Sequence, residues 1–315
     1  MSVSRHLVDP ELLPLLDLIP HVAMSTDTLA QVRERRLPLP ATMTGGVDKV
    51  ERTIAGPPGA ADVAITCYGP AGNADALPTI LHIHGGGYVA GRAASGEPRH
   101  RLLAGTLGCR IVSVDYRLAP ETPFPGALLD CHAALDWIFA SGADGGHDLT
   151  RIGVMGESAG GGLAAALALY ARDERTHPLA FVHLTYPMLD DRTGSLVDPH
   201  PTAGEFVWTA ADNRFSWSSL LGGAPGGDGV SAHAAPARAA DLSGLPPLYL
   251  ATGALDLFID ENLDFARRAA RAGVPVELHV YPGAFHGFDL VPGAAVSQRM
   301  RDDGAAALAR AMAPR

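Results

Sequence analysis

Ser158 is the residue of this sequence best suited to act as a nucleophile. Residues 156–160 are Gly-Glu-Ser-Ala-Gly, between an apolar run at 152–155 and a run of small residues at 161–169. The first run predicts a short buried strand and the second a helix. A serine on such a tight turn takes strained backbone torsions with its hydroxyl pointing outward, and larger residues at either glycine would collide with the adjacent strand and helix. The pattern predicts covalent chemistry at a serine hydroxyl.

A second glycine-rich stretch could stabilise the charge that this attack creates. Residues 84–87 are His-Gly-Gly-Gly, at the end of a predicted strand. Attack on a carbonyl places negative charge on oxygen, and removing one of the fixed N–H groups that stabilise it costs about 100- to 1,000-fold in rate. Glycines let the backbone approach the substrate without a Cβ in the way. Together with the turn at 156–160, this stretch is interpreted as an oxyanion loop rather than as a merely flexible glycine loop.

A histidine and an aspartate further along the chain complete a catalytic set. His286 lies in a loop just past a predicted strand, and Asp256 follows the end of another. Asp260, one helical turn further on, is the alternative acid, but it would more naturally cap or brace the following helix. The order Ser158, Asp256, His286 is that of the α/β-hydrolase triad and differs from the orders in chymotrypsin and subtilisin.

The elements that must position these residues alternate between strand and helix. The predicted strands are 47–54, 62–68, 79–84, 109–116, 151–155, 180–186, 247–253 and 276–281, and the predicted helices are 9–20, 25–36, 125–140, 159–172, 262–272 and 294–312. The first two strands are expected to form an antiparallel edge. The remaining alternation predicts a mostly parallel central sheet with helices on both faces.

Two segments fall outside this alternation and are predicted to form one helical cap. Residues 1–45 are the first part, and residues 190–230 are the second. A proline- and glycine-rich linker at 37–46 leads from the first part into the catalytic domain. The catalytic domain is predicted to span 46–315, with 190–230 as its inserted cap segment. Four aromatic residues are candidates to line an acyl pocket, with packing inside the cap as the alternative: Tyr88, Phe206, Trp208 and Phe215.

Composition limits the classes of partner. The chain has 315 residues and a formal net charge of −10, without a dense Lys/Arg stripe, which argues against a nucleic-acid surface. Cys67, Cys109 and Cys131 are scattered without metal-type spacing and are expected to be small core residues. The first 20 residues lack the pattern of a secretion signal, and no apolar stretch is long enough to span a membrane. We therefore expect a cytoplasmic protein that acts on a small molecule.

The motifs together resemble the bacterial hormone-sensitive-lipase-like family of α/β-hydrolase carboxylesterases. The matching segments are 84–88, 115–121, 156–162, 245–247 and 286–288, and the start at 9–36 is similar to the family's N-terminal cap. The resemblance implies that Gly86, Gly87 and Ala159 donate to the oxyanion. It also implies hydrolysis of esters with short to medium acyl chains. The expected acyl-enzyme chemistry needs no metal and no organic cofactor.

Some residues in or near these motifs depart from the family's pattern or have roles outside the triad. Glu157 stands where the family often has aspartate, and Leu257 where it often has proline; neither removes a catalytic atom. Glu157 could bind a polar substrate group or brace a neighbouring loop. Asp115 precedes the nucleophile and so does not fit the triad order, whereas Arg117 and Glu121 are interpreted as parts of an ion-pair network that supports the oxyanion loop.

Two alternatives to ester hydrolysis stay open at this stage. One is amide hydrolysis, such as deacetylation of an arylamide, because the same triad serves both reactions. The other is a small-molecule receptor on the same fold, as in the gibberellin receptors, which the presence of His286 argues against. The sequence leaves open the natural substrate, the stereoselectivity and the assembly state, a homodimer included.

Overall fold

An eight-stranded sheet organises the computed structural model, which describes residues 3–18, 21–34, 45–195 and 199–314. The strands are β1 Val47–Ile54, β2 Val63–Pro70, β3 Leu77–Ile83, β4 Arg110–Asp115, β5 His147–Glu157, β6 Phe181–Thr185, β7 Leu248–Gly253 and β8 Val276–Tyr281. The helices are α1 Leu13–Leu18, α2 Leu29–Glu34, α3 Glu97–Leu107, α4 Gly126–Ser141, α5 Ala159–Asp173, α6 Ala210–Leu221, α7 Ile259–Arg271 and α8 Ala295–Ala311.

The sheet has the order β1-β2-β4-β3-β5-β6-β7-β8. β2 pairs antiparallel with both β1 and β4, and all later pairs are parallel. Successive side chains of the central strands enter different apolar clusters: Ile80 and Met155 pack with α3 and α8, while Leu81 and Val154 pack with α4, α5 and α7. Both faces are thus covered, which explains why the inner part of β5, residues 152–155, is an apolar and fully buried run. The predicted α/β-hydrolase fold is confirmed.

Small residues let α5 lie close against the sheet. A Cβ at Gly160 would lie 2.1 Å from the carbonyl oxygen of Ile83 in β3, and one at Gly156 would lie 2.2 Å from the carbonyl oxygen of Gly160. The predicted collision of larger residues with the neighbouring strand and helix is therefore confirmed. This close fit brings the end of β3 next to the turn that carries Ser158.

The helices differ more from the predictions than the strands do. All eight predicted strands are present, and β1 and β8 have the predicted bounds. Helices α1 and α2 each begin four residues later than predicted. Their predicted ends fall in residues 19–20 and 35–44, which, with most of the linker, lie outside the described part of the chain. The predictions missed α3 and α6, although local signals exist: Gly108 ends α3 in a left-handed conformation, and Thr209 forms a capping box with Asp212 at the start of α6.

The described parts of the two cap segments contact each other. The backbone amide of Ser4 donates to Glu205 Oε2 at 2.9 Å. Asp212, buried at the start of α6, lies 2.7 Å from His21 Nε2 and accepts from the amide of Met24 at 2.8 Å. A cap built from both segments is compatible with these contacts and stays a prediction.

The composition raised questions about membrane-spanning helices and about the three cysteines. Among residues 3–18, 21–34, 45–195 and 199–314, no helix is long and apolar enough to cross a bilayer. Cys109 and Cys131 are buried, Cys67 is half-buried, and all three are free thiols. Their expected place in the apolar interior is confirmed for the two buried residues.

Candidate active site

Ser158 lies at the turn between β5 and α5, at the carboxyl end of the parallel strands. Its backbone has φ 56° and ψ −122°, a conformation that residues other than glycine rarely adopt. Hydrogen bonds hold it there: the Ser158 amide donates to Thr185 O at 3.0 Å, and its carbonyl accepts from the amides of Gly162 and Met188, both at 3.0 Å. From this strained turn the Ser158 hydroxyl reaches the imidazole of His286.

The structure brings Ser158, His286 and Asp256 into one hydrogen-bonded row. Ser158 Oγ lies 2.9 Å from His286 Nε2, and His286 Nδ1 lies 2.8 Å from Asp256 Oδ2. Asp256 is fully buried, and its other oxygen accepts from the amide of Phe258 at 2.9 Å. A carboxylate facing Nδ1 favours the proton on that nitrogen, which leaves Nε2 free to accept the serine proton. Asp260 instead lies exposed in the first turn of α7.

Three aromatic rings surround the imidazole of His286. Tyr186 and Phe258 meet it edge-on at centroid distances of 4.6 and 5.2 Å, and Trp208 lies 6.0 Å away. The Tyr186 hydroxyl donates to Asp289 Oδ1 at 2.6 Å, which fixes that ring in turn. The sequence analysis missed Tyr186 and Phe258, because neither belongs to a motif. Their packing holds the imidazole between serine and aspartate.

The glycine loop after β3 lies directly against the nucleophile. A Cβ at Gly85 would lie 3.3 Å from Ser158 Cβ. Gly86 and Gly87 have φ of 120° and 61°, and within the described part of the chain neither of their amides donates to another group. Ala159 begins α5, where helix amides have no intrahelical acceptor and the helix dipole favours negative charge. These three amides could together bind an oxyanion at Ser158.

The side chain of His84 contacts this glycine loop and supports it. Burial lowers the pKa of His84 to about 4, so the imidazole is neutral at pH 7. Its Nδ1 lies 2.8 Å from the carbonyl oxygen of Gly85, and its ring stacks on Tyr116 at 4.2 Å. The Tyr116 hydroxyl donates to the His84 carbonyl at 2.8 Å. The first residue of the glycine motif thus holds the loop in place and does not enter the triad.

Asp115, Arg117 and Glu121 each contact a different partner. Glu121 pairs with Arg33 of α2 at 2.7 Å, and Arg33 Nε donates to the carbonyl of Val89, next to the oxyanion loop. Arg117 pairs at 2.7 Å with Asp130 of α4 instead. The Glu121 part of the predicted network therefore reaches the loop through Arg33. Asp115 accepts from the amide of Ala93 at 2.7 Å and lies outside the triad.

Glu157 is engaged by two side chains beside the nucleophile. Its carboxylate lies 2.9 Å from His82 Nε2 and 2.6 Å from Arg99 Nη1. Burial acts to raise the pKa of Glu157, but the interactions with His82 and Arg99 outweigh it and hold that pKa well below its ordinary value. A carboxylate held on both oxygens favours the interpretation as a brace, here between β3, β5 and α3, over that as a substrate-binding group.

The four aromatic candidates for the pocket have different surroundings. Trp208 lies beside His286, and its ring also approaches Gly87, where a Cβ would be 2.4 Å from Cη2. Phe206 packs on Phe285 at 5.9 Å, and Phe215 is half-buried against α2 and the oxyanion loop. Tyr88 differs from the expectation: it is 1% exposed within the main core, with its hydroxyl donating to Met188 O at 3.0 Å. Trp208 is the candidate nearest to the triad.

Known protein families and sequences contain matches to this chain. A family model described as an alpha/beta hydrolase fold matches residues 80–290. The carboxylesterase NlhH of Mycobacterium tuberculosis is 37% identical over 324 aligned residues, covering 99% of this chain and 98% of the relative. The esterase LipI of Mycobacterium tuberculosis is 35% identical over 288 residues, covering 89% of this chain and 88% of the relative.

Solved structures of esterases also superpose on this chain. A bacterial heroin esterase superposes with a TM-score of 0.89 at 40% sequence identity, over 98% of this chain and 99% of that chain. The esterase LipW of Mycobacterium marinum superposes with a TM-score of 0.85 at 32% identity, over 100% of this chain and 99% of that chain. The chain is thus similar over nearly its whole length to proteins named esterases.

Proposed function

Because the chain belongs to the hormone-sensitive-lipase-like family of α/β hydrolases, we propose that it cleaves short- to medium-chain carboxylic esters through an acyl-enzyme on Ser158. Its class is that of the serine carboxylic ester hydrolases, and its substrate is a small ester. The observation that carries the proposed residue roles is the row of hydrogen bonds from Ser158 through His286 to Asp256.

The proposed reaction uses each group of this site in turn. Ser158 Oγ attacks the ester carbonyl while His286 Nε2 takes its proton, and Asp256 stabilises the imidazolium that forms. The amides of Gly86, Gly87 and Ala159 bind the oxyanion. His286 then protonates the departing alcohol, which leaves the acyl group on serine. Water, deprotonated by the same histidine, attacks the acyl-enzyme, and the acid is released with Ser158 restored.

Replacement of the nucleophile tests the proposal directly. Ser158→Ala is expected to lower hydrolysis of a short-chain p-nitrophenyl ester by about 10⁴-fold or more, as for triad deletions in other enzymes. A fluorophosphonate should add one covalent adduct to the wild type and none to the variant, with circular dichroism checking that both are folded. Near-normal turnover by folded Ser158→Ala would refute the assignment.

We further propose that the cap sets the acyl-chain preference. Trp208 beside the triad and Phe206 on the His286 loop support this role. Trp208→Ala or Phe206→Ala should change the ratio of rates on two- and eight-carbon esters. Trp137→Ala, at a half-buried tryptophan of α4, is the control and should leave that ratio unchanged. An unchanged profile in both cap variants would put the acyl pocket elsewhere.

The two alternatives to ester hydrolysis are not favoured. The relatives compared above are named esterases, and His286 is hydrogen-bonded to Ser158 as a working base would be. Matched ester and amide substrates, differing only in the leaving group, would measure the preference. Amide turnover faster than ester turnover would reverse the assignment.

We also propose that the protein forms a homodimer and lies in the cytoplasm. A homodimer through β8 is supported by its place at the open edge of the sheet, where Leu278 and Val280 are 38% and 41% exposed. Light scattering would test it, with Leu278→Lys expected to favour the monomer, and a wild-type monomer would contradict it. A cytoplasmic location, supported by the three free thiols, is testable by cell fractionation.

A further inference from the structure

Two histidines and an aspartate converge on the surface formed by α4 and the segment after α5. His132 Nδ1 lies 3.1 Å from Asp136 Oδ2, and His177 Nε2 lies 2.6 Å from Asp136 Oδ1. One donor atom from each residue falls within 4.8 Å of the other two, and among the described residues this is the one such group of three or more His, Cys, Asp and Glu. A single carboxylate thus bridges two imidazoles.

The fold holds these three side chains in place. His132 and Asp136 are four residues apart on α4, which puts them on the same helix face. His177 is brought alongside by the contact between α4 and α5 and stacks on Phe139 at 4.3 Å. His132 meets Tyr170 of α5 edge-on at 5.1 Å, and its second nitrogen lies 3.3 Å from Thr176 Oγ1. Orienting contacts of this kind on the rings and on the second nitrogen are typical of histidine metal ligands.

We propose that His132, Asp136 and His177 bind one divalent transition-metal ion, for which Zn²⁺ is the appropriate probe. Two imidazole nitrogens and one carboxylate oxygen are ligands that zinc accepts, with a water molecule in the fourth position. Zinc at about 2.0–2.1 Å from each donor would need the donors roughly 3.3 Å apart. His132 Nδ1 and His177 Nε2 now lie 3.1 and 2.6 Å from different oxygens of Asp136, and the three donors lie within 4.8 Å of one another. Side-chain movements of about 1.5 Å or less would bring them to the zinc spacing. The ion would replace the direct contacts between the carboxylate and the two imidazoles.

Access and charge are both suitable for an ion. The Asp136 side chain is 52% exposed, whereas those of His132 and His177 are 15% and 22% exposed. Water and metal can therefore reach the carboxylate, while the imidazoles stay fixed against aromatic rings. The bound carboxylate also carries the negative charge that favours a cation over a neutral ligand.

The site would act on the fold and not on the ester chemistry. His177 follows the end of α5, whose first residue comes directly after Ser158. Fifteen helical residues span about 22 Å at 1.5 Å per residue, so the ion would lie too far from the triad to touch substrate. It would join α4 to the connection between α5 and β6 and stabilise the folded state by mass action.

Equilibrium dialysis of the full chain with ZnCl₂, after treatment with a chelator, tests the site. The wild type is expected to bind one equivalent, whereas His132→Gln, Asp136→Asn and His177→Gln should each weaken binding at least about 10-fold. Asp136→Asn is the decisive variant, because its exposed side chain can change without disturbing the core. The wild type, but not Asp136→Asn, should also show a zinc-dependent rise in Tm.

His233 provides the matched control. It pairs with Asp173 at 2.8 Å and meets Tyr170 edge-on at 5.4 Å, but it belongs to no three-ligand group among the described residues. His233→Gln should keep the wild-type stoichiometry and affinity. Equal loss in this variant, or full binding by folded Asp136→Asn, would mean an adventitious ion only and would overturn the proposal. Failure of the wild type to bind one equivalent would overturn it as well, whatever the esterase activity.

Discussion

A methyl group added at Gly87 should disable the oxyanion loop without unfolding the protein. Gly87 has φ 61°, and a Cβ there would lie 2.4 Å from Trp208 Cη2 and 2.7 Å from Ser216 Oγ. Carbon atoms in contact are normally about 3.5 Å apart, so the ring or the loop must move by about 1 Å. Trp208 is buried and its Nε1 donates to Asn213 at 3.3 Å, which opposes withdrawal of the ring. We therefore expect the loop to move.

The size of the effect follows from what that loop does. A displacement of 1 Å at a reacting centre can cost about 100-fold, and loss of one oxyanion donor costs about 100- to 1,000-fold. Gly87→Ala is therefore expected to lower kcat/KM for a short-chain p-nitrophenyl ester by about 100- to 1,000-fold. Because the interaction is made in the transition state, the loss should fall on kcat with KM little changed.

Gly108→Ala is the matched control for backbone strain. Gly108 also has φ 61°, but nothing lies within 4 Å of a Cβ there. Both variants should lose about 1–2 kcal/mol of stability from the left-handed conformation, and Gly108→Ala should keep its activity. Trp208→Ala should restore part of the activity of Gly87→Ala, measured against Trp208→Ala alone, with Ser216 limiting the recovery. Activity of Gly87→Ala within a few-fold of the wild type would refute the reasoning.

Three further predictions concern charges at and beside the triad. Asp256→Asn should lower kcat/KM by roughly 10⁴-fold through the wrong histidine tautomer, whereas Asp260→Asn should affect mainly stability; the reverse result would move the acid to Asp260. Glu157→Gln should lose about 2 kcal/mol of stability at pH 7, because Arg99 keeps a largely buried charge without its partner. The folded-state pKa of Glu157 lies below its ordinary 4.5, so its contribution is present above pH 4.5 and is lost as the pH falls further. Urea unfolding curves of wild type and variant should therefore converge below pH 4.5, and a gap independent of pH would contradict this account. Finally, the charges that develop in the proposed reaction are stabilised by the Asp256 carboxylate and by backbone amides. A chelator should therefore leave kcat/KM unchanged, and activity restored by added zinc or magnesium would contradict the metal-free mechanism.

The surroundings of Glu157 show where prediction from the sequence ends. Its place before the nucleophile is visible in the motif, but the sequence leaves open whether it binds substrate or braces a loop. His82 and Arg99, which engage it, lie 75 and 58 residues away along the chain. No local pattern pairs such residues, because their contact depends on β3 lying next to β5 and on which face α3 covers. The same holds for Arg33 at the oxyanion loop.

The sequence by itself determined the strands, the nucleophile turn and the order of the candidate triad. Buried parallel strands are continuous apolar runs, and a tight turn needs glycines at fixed spacing, so both leave local signals. Only the tertiary structure decided which rings enclose His286, that Tyr88 belongs to the core, and that His132, Asp136 and His177 meet. These contacts join residues from separate elements, and the packing of those elements, not their local composition, brings the side chains within reach.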